Sequence, residues 1–366
     1  GIEFVSSKNY PKTRTTKSII FRNNNMIKIK VLNPTQDRNE PTFRVFMACK
    51  AALSNYSIEI TDSDDFDYMF VGMHDFMNKS LKLKDSVDWG LENLNKVTEG
   101  GDYFLFDGSD STSLMGSIEV LEQCDAIYLF KNQILKREEY KKPSNFGRWF
   151  WGSGELNLSY DIKDKDWNRI KLSGWNLGHL NPQLINEMPP LNPVKPHDVC
   201  AIYQGDHKEN YEHTIRNDIP YTKHRKGAWE ILDDKFESRK EKLPQDQYFQ
   251  YLYDSKVCLS PFGMGEVCFR DFESINVGTI MIKPDMSMVL TEPNIYIDKE
   301  TYFAVNYDWS NLNEVVDEIL SDFDKLNREI IDNSRRKFVT GYQYENYCFY
   351  LYNIFSDMAD ITIGGS

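Results

Sequence analysis

The chain has 366 residues, of which 40% are hydrophobic and 14% aromatic, and it carries a formal net charge of −13. This length and composition indicate a globular protein rather than a disordered one, with enough chain for two domains that each bury a core. The negative charge argues against a nucleic-acid partner, because binding to a phosphate backbone needs a basic surface.

The first 25 residues differ from the rest of the chain. The stretch 8–25 is basic and polar and has neither helical nor strand periodicity. Met26 then opens an apolar alternation typical of a strand. We expect residues 1–25 to be a flexible leader or a segment added by cloning, with a stem behind a removed membrane anchor as the alternative.

Residues 26–188 alternate between short apolar runs and longer amphipathic stretches, which predicts a first domain with a parallel sheet and helical crossovers. The predicted strands are 27–32, 56–61, 68–72, 102–108 and 126–130, and the predicted helices are 41–53, 84–97 and 111–124.

Four prolines in the run 186–198 predict an interdomain linker over 189–198, because proline is excluded from helix interiors and stiffens extended chain. After it the alternation restarts and predicts a second domain over 199–330, followed by a helical tail over 331–366. The predicted strands here are 199–205, 256–261 and 279–284, and the predicted helices are 222–234, 248–255, 265–278 and most of 311–355.

This order predicts an α/β fold with two Rossmann-like domains facing across a cleft. In open parallel sheets, ligands bind beyond the carboxyl ends of the strands. Residues that carry chemistry are therefore expected in the loops that follow strands.

The stretch LSPFGMGEVCFRDFESINVGTIMIKPD (259–285) fits that expectation best. Gly263 and Gly265 turn the chain after a strand, and a helix is expected to begin near Glu266. A helix amino end suits a phosphate, Arg270 suits a diphosphate, and a carboxylate suits a vicinal diol. Glu266, Arg270 and Glu273 are spaced to share one helical face. The alternative is an ordinary exposed helix with a Glu266–Arg270 ion pair.

The same region resembles the nucleotide-sugar-binding half of exostosin-like glycosyltransferases. The resemblance covers about 245–310, extends plausibly back to Tyr203, and is only architectural before Pro189. The matching positions are Cys258, Pro261, Gly263, Arg270, Glu273, Gly278 and Pro284.

The resemblance implies a two-domain type-B fold whose final helix crosses back to the first domain. It implies transfer of a sugar from a nucleoside diphosphate sugar, here a UDP-sugar, to an oligosaccharide or glycan acceptor, with no cofactor and no obligatory metal. Retaining enzymes of this fold carry two glutamates separated by seven residues, whereas six separate Glu266 from Glu273, which favours inversion. The alternatives are an enzyme similar to a sugar-nucleotide epimerase and a non-catalytic carbohydrate-binding protein.

A basic cluster within 203–232 adds to the donor site. Gly205 ends a predicted strand, and the resemblance places an arginine near the donor phosphates, which we assign to Arg225 and then Arg216. The alternative is a solvated helix face. The predicted donor-binding set is Gly205, Arg216, Arg225, Pro261, Gly263, Gly265, Glu266, Arg270, Glu273 and Lys283.

Inverting transfer also needs a general base for the acceptor hydroxyl. Four loop residues of the first domain qualify: His74, Asp75, Asp107 and Asp110. We choose Asp75 first and His74 second, because Asp107 and Asp110 can instead fix a turn and cap a helix.

Three further features complete the sequence-based picture. The acids at 62–65 precede a strand and are expected to be turn residues, not a metal motif. The tryptophans at 149, 151, 167 and 175 are expected either to line an acceptor site, where they would stack on sugar rings, or to pack beneath the interdomain linker. The six cysteines form no C-x-x-C pair and no apolar run reaches transmembrane length, which predicts reduced thiols in the cytoplasm, with a Golgi-lumenal fragment as the alternative.

Overall fold

The computed structural model of the protein describes residues 26–32, 46, 49–73, 76, 81–142, 159–174, 188–203, 220–263 and 265–363.

The first half of the chain is built on a parallel sheet. Its strands are β1 (Ile27–Leu32), β2 (Ile58–Thr61), β3 (Tyr68–Gly72), β4 (Tyr103–Asp107), β5 (Leu129–Lys131), β6 (Gln133–Leu135) and β7 (Ile170–Leu172). All of them except β6 pair side by side in the order β2-β1-β3-β4-β5-β7, and every pairing is parallel. The helices are α1 (Lys50–Ser54), α2 (Leu83–Thr98), α3 (Ser117–Leu121) and α4 (Asp164–Trp167), with a 3₁₀ turn at Arg137–Lys141.

The second half contains another parallel sheet. Its strands are β8 (His197–Cys200), β9 (Ser238–Arg239), β10 (Ser255–Leu259), β11 (Ile280–Pro284), β12 (Val289–Thr291) and β13 (Phe303–Val305). Apart from β12 they pair in the order β13-β11-β10-β8-β9, again parallel throughout. The helices are α5 (Pro220–Ile231), α6 (Gln245–Tyr253), α7 (Phe269–Val277), α8 (Leu312–Ser321), α9 (Phe323–Gly341) and α10 (Tyr344–Ile363).

The residue patterns explain these elements. Every residue of β4 and of β11 is buried, as expected for strands of a parallel sheet that is covered on both faces. In α2 the buried positions include Val87, Gly90 and Leu94, which lie three and four residues apart and so form one stripe. Each large apolar side chain buried in this way contributes about 1.5–3 kcal/mol of transfer free energy.

The two halves contact each other through a short ribbon and a long helix. Strand β6 of the first half pairs antiparallel with β12 of the second. Helix α10 returns to the first half, where the Phe355 ring lies 5.3 Å from that of Phe104 and the Tyr350 hydroxyl donates to the Leu172 carbonyl at 2.6 Å. The predicted α/β architecture of two parallel-sheet domains with a returning terminal helix is thereby confirmed.

Two predicted helices are shorter than expected. The helix predicted over 265–278 begins only at Phe269, because Cys268 is extended and donates its backbone N–H to the Asp271 carboxylate at 3.0 Å. The helix predicted over 111–124 is reduced to α3. It begins only at Ser117, because Gly116 before it has a positive φ of 87°, outside the helical region.

Candidate functional site

The sheet topology points to one place in the second half. The strand order reverses between β8 and β10, so a crevice opens beyond their carboxyl ends, where ligands bind in folds of this class. Two segments flank this point. One is 201–203, which follows β8, and the other is 260–268, which follows β10 and which we call the β10–α7 loop. Its residue 264 lies outside the described residues.

Arg270 connects the two segments that flank this switch point. It lies in the first turn of α7, and its guanidinium carbon is 5.2 Å from the ring centroid of Tyr203, which follows β8. The ring of Trp229 also stacks on Tyr203, with 4.6 Å between the ring centroids. The Nε and Nη1 atoms of Arg270 are buried and have no hydrogen-bond partner among the described residues. A permanent cation with buried, unpaired donors favours an anionic ligand at this point.

Arg225 brings a second guanidinium to the same loop. Its Nε donates to the Phe262 carbonyl at 2.9 Å, and its own carbonyl accepts the Tyr203 hydroxyl at 3.0 Å. A methyl group at Gly263 would lie 2.7 Å from Arg225 Nη2, so the guanidinium rests where only glycine leaves room. The structure therefore places Arg225 against Gly263, and Arg225 and Arg270 both contact Tyr203. Their role in donor binding stays a prediction.

Glu273 lies one turn along α7 from Arg270, on the same face. Its Oε2 accepts the Tyr248 hydroxyl at 2.7 Å. Burial raises the pKa of Glu273 above its ordinary value, while the Tyr248 hydrogen bond and the Arg270 charge oppose the shift. The expectation that Arg270 and Glu273 share a helical face is confirmed, whereas Glu266 precedes the helix and does not share it.

Glu266 has partners that the sequence did not suggest. The side chain is 2% exposed, and its carboxylate accepts the N–H and the hydroxyl of Thr112, at 2.9 and 2.7 Å. The amide nitrogen of Gln133 donates to it at 3.2 Å. Its neighbour Gly265 abuts the Asp110 carbonyl so closely that a methyl group there would overlap it. Both residues thus face the first half of the molecule, and their predicted contact with the donor stays a prediction.

Lys283 and Pro261 are buried at the same end of the sheet. The Lys283 side chain is 0% exposed, and its Nζ lies 3.1 Å from Asp271 Oδ1. Asp271 also accepts the hydroxyls of Ser260, at 2.5 Å, and Tyr296, at 2.7 Å. The ammonium group is therefore already paired within the protein.

The amino end of α7 differs from the expected anion site. Asp271 places a carboxylate there and takes the Cys268 N–H, so the helix end offers less positive potential than a free terminus. The expectation that a phosphate lies at this helix end stays a prediction. The guanidinium groups of Arg225 and Arg270 remain as the principal positive charges of the switch point.

Several predicted residues lie outside the described residues. These are the candidate bases His74 and Asp75, the donor-site residues Gly205 and Arg216, and the tryptophans at 149, 151 and 175. Of the other loop acids, Asp107 is buried and accepts from Lys131 Nζ at 3.1 Å, Ser117 Oγ at 2.5 Å and the Ser109 N–H at 2.9 Å. Asp107 therefore fixes its turn, as the alternative interpretation held.

The remaining polar features are structural. The imidazole of His224 stacks between Tyr307 and Trp309, at 4.2 and 4.4 Å, and burial lowers its pKa to about 3, so it is neutral. Asp64 and Asp65 pair with lysines of β1 at the surface. All six cysteines are free thiols.

The described residues lack two further kinds of feature. They hold no group of three or more His, Cys, Asp or Glu side chains able to bind a metal ion. Within the same part of the chain, no helix has both the length and the apolar character needed to cross a membrane.

Sequence reasoning missed the aromatic and amide partners of the site. Tyr203 was detectable in principle, because it follows a strand at the switch point. Tyr248 lies in α6, ahead of β10, and no local signal marks it. Thr112 and Gln133 are 154 and 133 residues from Glu266, and nothing in the spacing of the chain reveals such contacts.

Comparison with known proteins yields weak likenesses only. No protein-family model and no curated protein matches the chain. Sucrose-phosphate synthase from Thermosynechococcus elongatus is 12% identical, covers 92% of this chain and 100% of its own, and superposes with a TM-score of 0.48. HepE from Anabaena, in complex with UDP-glucose, is 8% identical over 91% of this chain and 100% of its own, with a TM-score of 0.44.

A putative UDP-N-acetylglucosamine 2-epimerase from Listeria monocytogenes is 11% identical over 89% of this chain and 94% of its own, with a TM-score of 0.40. Likenesses at this level carry no argument about activity. They also do not identify the exostosin-like family, so that resemblance stays a prediction from the sequence.

Proposed function

We propose that the protein is a glycosyltransferase that binds a nucleoside diphosphate sugar, specifically a UDP-sugar, at the switch point between β8 and β10. The sugar is transferred to a carbohydrate acceptor held by the first half of the molecule, with inversion and without a metal ion. The observation that carries this proposal is Arg270, whose buried Nε and Nη1 have no hydrogen-bond partner among the described residues and whose guanidinium faces the Tyr203 ring.

The chemistry of the leaving group explains the two arginines. A departing nucleoside diphosphate concentrates negative charge on its phosphates, and prearranged cations stabilise that charge in the transition state. Guanidinium groups suit this role because their planar donors match phosphate oxygens. Arg270 and Arg225 would take the diphosphate in place of a divalent cation.

Glu273 supports the nucleoside in this proposal. A carboxylate can accept hydrogen bonds from two vicinal ribose hydroxyls. Tyr248 holds one of its oxygens at 2.7 Å and so fixes the direction of the carboxylate next to Arg270.

The acceptor half supplies the base. Residues 74 and 75 follow β3 after one intervening residue, and β3 lies beside β1 where the strand order of the first sheet reverses. We propose Asp75 as the general base that removes the proton of the acceptor hydroxyl, with His74 as the second choice.

Isothermal titration with UDP tests the donor site. A hydrogen bond to a charged group contributes ~1.5–3 kcal/mol, so Arg270→Ala and Glu273→Ala should each weaken UDP binding about tenfold to a hundredfold. Arg336→Ala is the matched control, because Arg336 is exposed on α9 and bonds only to the local Asn333 side chain among the contacts that the structure describes. Unchanged UDP affinity in both site variants would contradict the proposal.

The reaction class needs a second assay. Incubation of UDP-sugars with and without oligosaccharides distinguishes transfer, which requires the acceptor, from epimerisation, which does not. Sugar transfer that depends on an added oligosaccharide is the expected result.

A further inference from the structure

The carboxylate of Glu266 is a contact between the two halves of the molecule. It belongs to the β10–α7 loop, whereas Thr112 lies between β4 and α3 of the first half. The Thr112 N–H donates to Oε2 at 2.9 Å and its hydroxyl donates to Oε1 at 2.7 Å, while Gln133 reaches Oε2 at 3.2 Å. We call this set of three side chains the junction.

The junction is buried and closely packed. Thr112 and Gln133 are fully buried and Glu266 is 2% exposed. Gly265 rests directly on the Asp110 carbonyl, and the Gln133 amide nitrogen also donates to that carbonyl. A buried carboxylate needs several hydrogen-bond donors to offset its lost hydration, and the first half supplies them.

The same loop also carries residues of the proposed nucleotide site. Gly263 and Phe262 seat the Arg225 guanidinium, and Arg270 follows at the start of α7. Only a few residues therefore separate the contact with the first half from the contact with the donor.

We infer that Glu266 is a positioning residue. Its hydrogen bonds hold the β10–α7 loop against the first half, so that binding of the donor to this loop changes the hydrogen-exchange protection of the first-half segment that contacts Glu266. Glu266 does so as a hydrogen-bond acceptor, without touching the donor. The identity of the ligand in this inference rests on the proposed function. The connection between the loop and the first half rests on the hydrogen bonds of the junction alone.

The inference is tested by hydrogen–deuterium exchange of residues 108–116, with and without UDP, together with the UDP dissociation constant. In the free protein, Glu266→Ala should speed exchange at this segment about tenfold or more, because the Thr112 amide loses its acceptor. On adding UDP, the wild type should gain protection there. Thr112→Val should bind UDP within about twofold of wild type, since Thr112 is not among the predicted donor contacts, yet gain no such protection. Glu266→Ala should gain none either.

Conservative variants supply the matched controls. Glu266→Gln keeps the shape and can accept the Thr112 N–H through its oxygen while its amide donates to the threonine hydroxyl. Thr112→Ser keeps both donors. Both should restore the UDP-dependent protection, as expected of a positioning role that needs geometry rather than charge.

Three results would overturn the inference. One is weakened UDP binding in the Glu266 variants but not in Thr112→Val, which would make Glu266 a donor contact. Another is a Glu266→Gln variant as impaired as Glu266→Ala. The third is unchanged exchange at 108–116 in free Glu266→Ala. If the wild type binds no UDP, the proposed function is refuted instead. Comparing hydrogen exchange at 108–116 in the free wild type and free Glu266→Ala would still decide whether the junction holds the loop.

Discussion

Substituting Gly263 by alanine tests how tightly the β10–α7 loop seats the Arg225 guanidinium. The added methyl group would lie 2.7 Å from Arg225 Nη2, whereas ordinary contact begins at 3.4 Å. The guanidinium must therefore retreat by roughly 0.7 Å, since close-packed neighbours on the loop side leave little room for the methyl group to move. Such a shift disturbs the 2.9 Å hydrogen bond from Arg225 Nε to the Phe262 carbonyl.

The expected consequence is weaker nucleotide binding with little loss of stability. Displacing one charge-assisted contact with the diphosphate removes ~1.5–3 kcal/mol of binding free energy, so the UDP dissociation constant should rise about tenfold to a hundredfold. The backbone φ of Gly263 is not positive, so alanine adds no conformational strain of its own. Isothermal titration with UDP, with a thermal melt of each protein, measures both quantities.

The control is Gly227→Ala, on the same helix as Arg225. A methyl group at Gly227 would lie 3.7 Å from Trp309 Cδ1, which is ordinary contact, so UDP binding should not change. Combining Gly263→Ala with Arg225→Ala should cost no more affinity than Arg225→Ala alone. If Gly263→Ala binds UDP as tightly as Gly227→Ala does, Arg225 is not part of the donor site.

Three other predictions concern the core, the pH response and metals. Lys283→Met leaves the buried Asp271 carboxylate unpaired and should lower the free energy of unfolding by ~3–5 kcal/mol in urea titrations; a loss below ~1 kcal/mol would show that the pair is not needed. Because burial raises the pKa of Glu273 above 4.5, the carboxyl protonates at a higher pH than usual, so UDP affinity should fall on acidification through that pKa. Stability should respond with the opposite sign, since the raised pKa favours the folded state at low pH and this gain is lost as pH rises; Glu273→Gln should abolish both trends. EDTA should leave UDP binding and sugar transfer unchanged, and a loss of either that Mn²⁺ restores would contradict the metal-independent mechanism.

The fold was predictable where the signal was local. The apolar runs Val257–Leu259 and Ile280–Ile282 stand out because strands of a parallel sheet are apolar on both faces. The ribbon between β6 and β12 was not predictable, because each of its strands spans three residues and the pairing partners lie far apart in the chain. The hydrogen bond from Thr112, in the segment predicted as a helix over 111–124, to the distant Glu266 was not predictable either.

The candidate site divides in the same way. Arg270 and Glu273 follow from helical spacing and from the turn before them. The roles of Glu266 and Lys283 do not, because both depend on tertiary partners. Glu266 accepts a hydrogen bond from Thr112 of the first half, and Lys283 donates one to Asp271. Sequence patterns predict which charged residues can lie near a site. They do not predict which of these residues already have hydrogen-bond or ion-pair partners within the protein.

The position of the diphosphate in a crystal of the UDP complex tests the central claim most directly. The account predicts phosphate oxygens about 2.7–3.2 Å from Nε or Nη1 of Arg270, beside the Tyr203 ring and the β10–α7 loop. UDP bound elsewhere, for example beyond β1 and β3 of the first sheet, with the Arg270 guanidinium still unpaired, would contradict it.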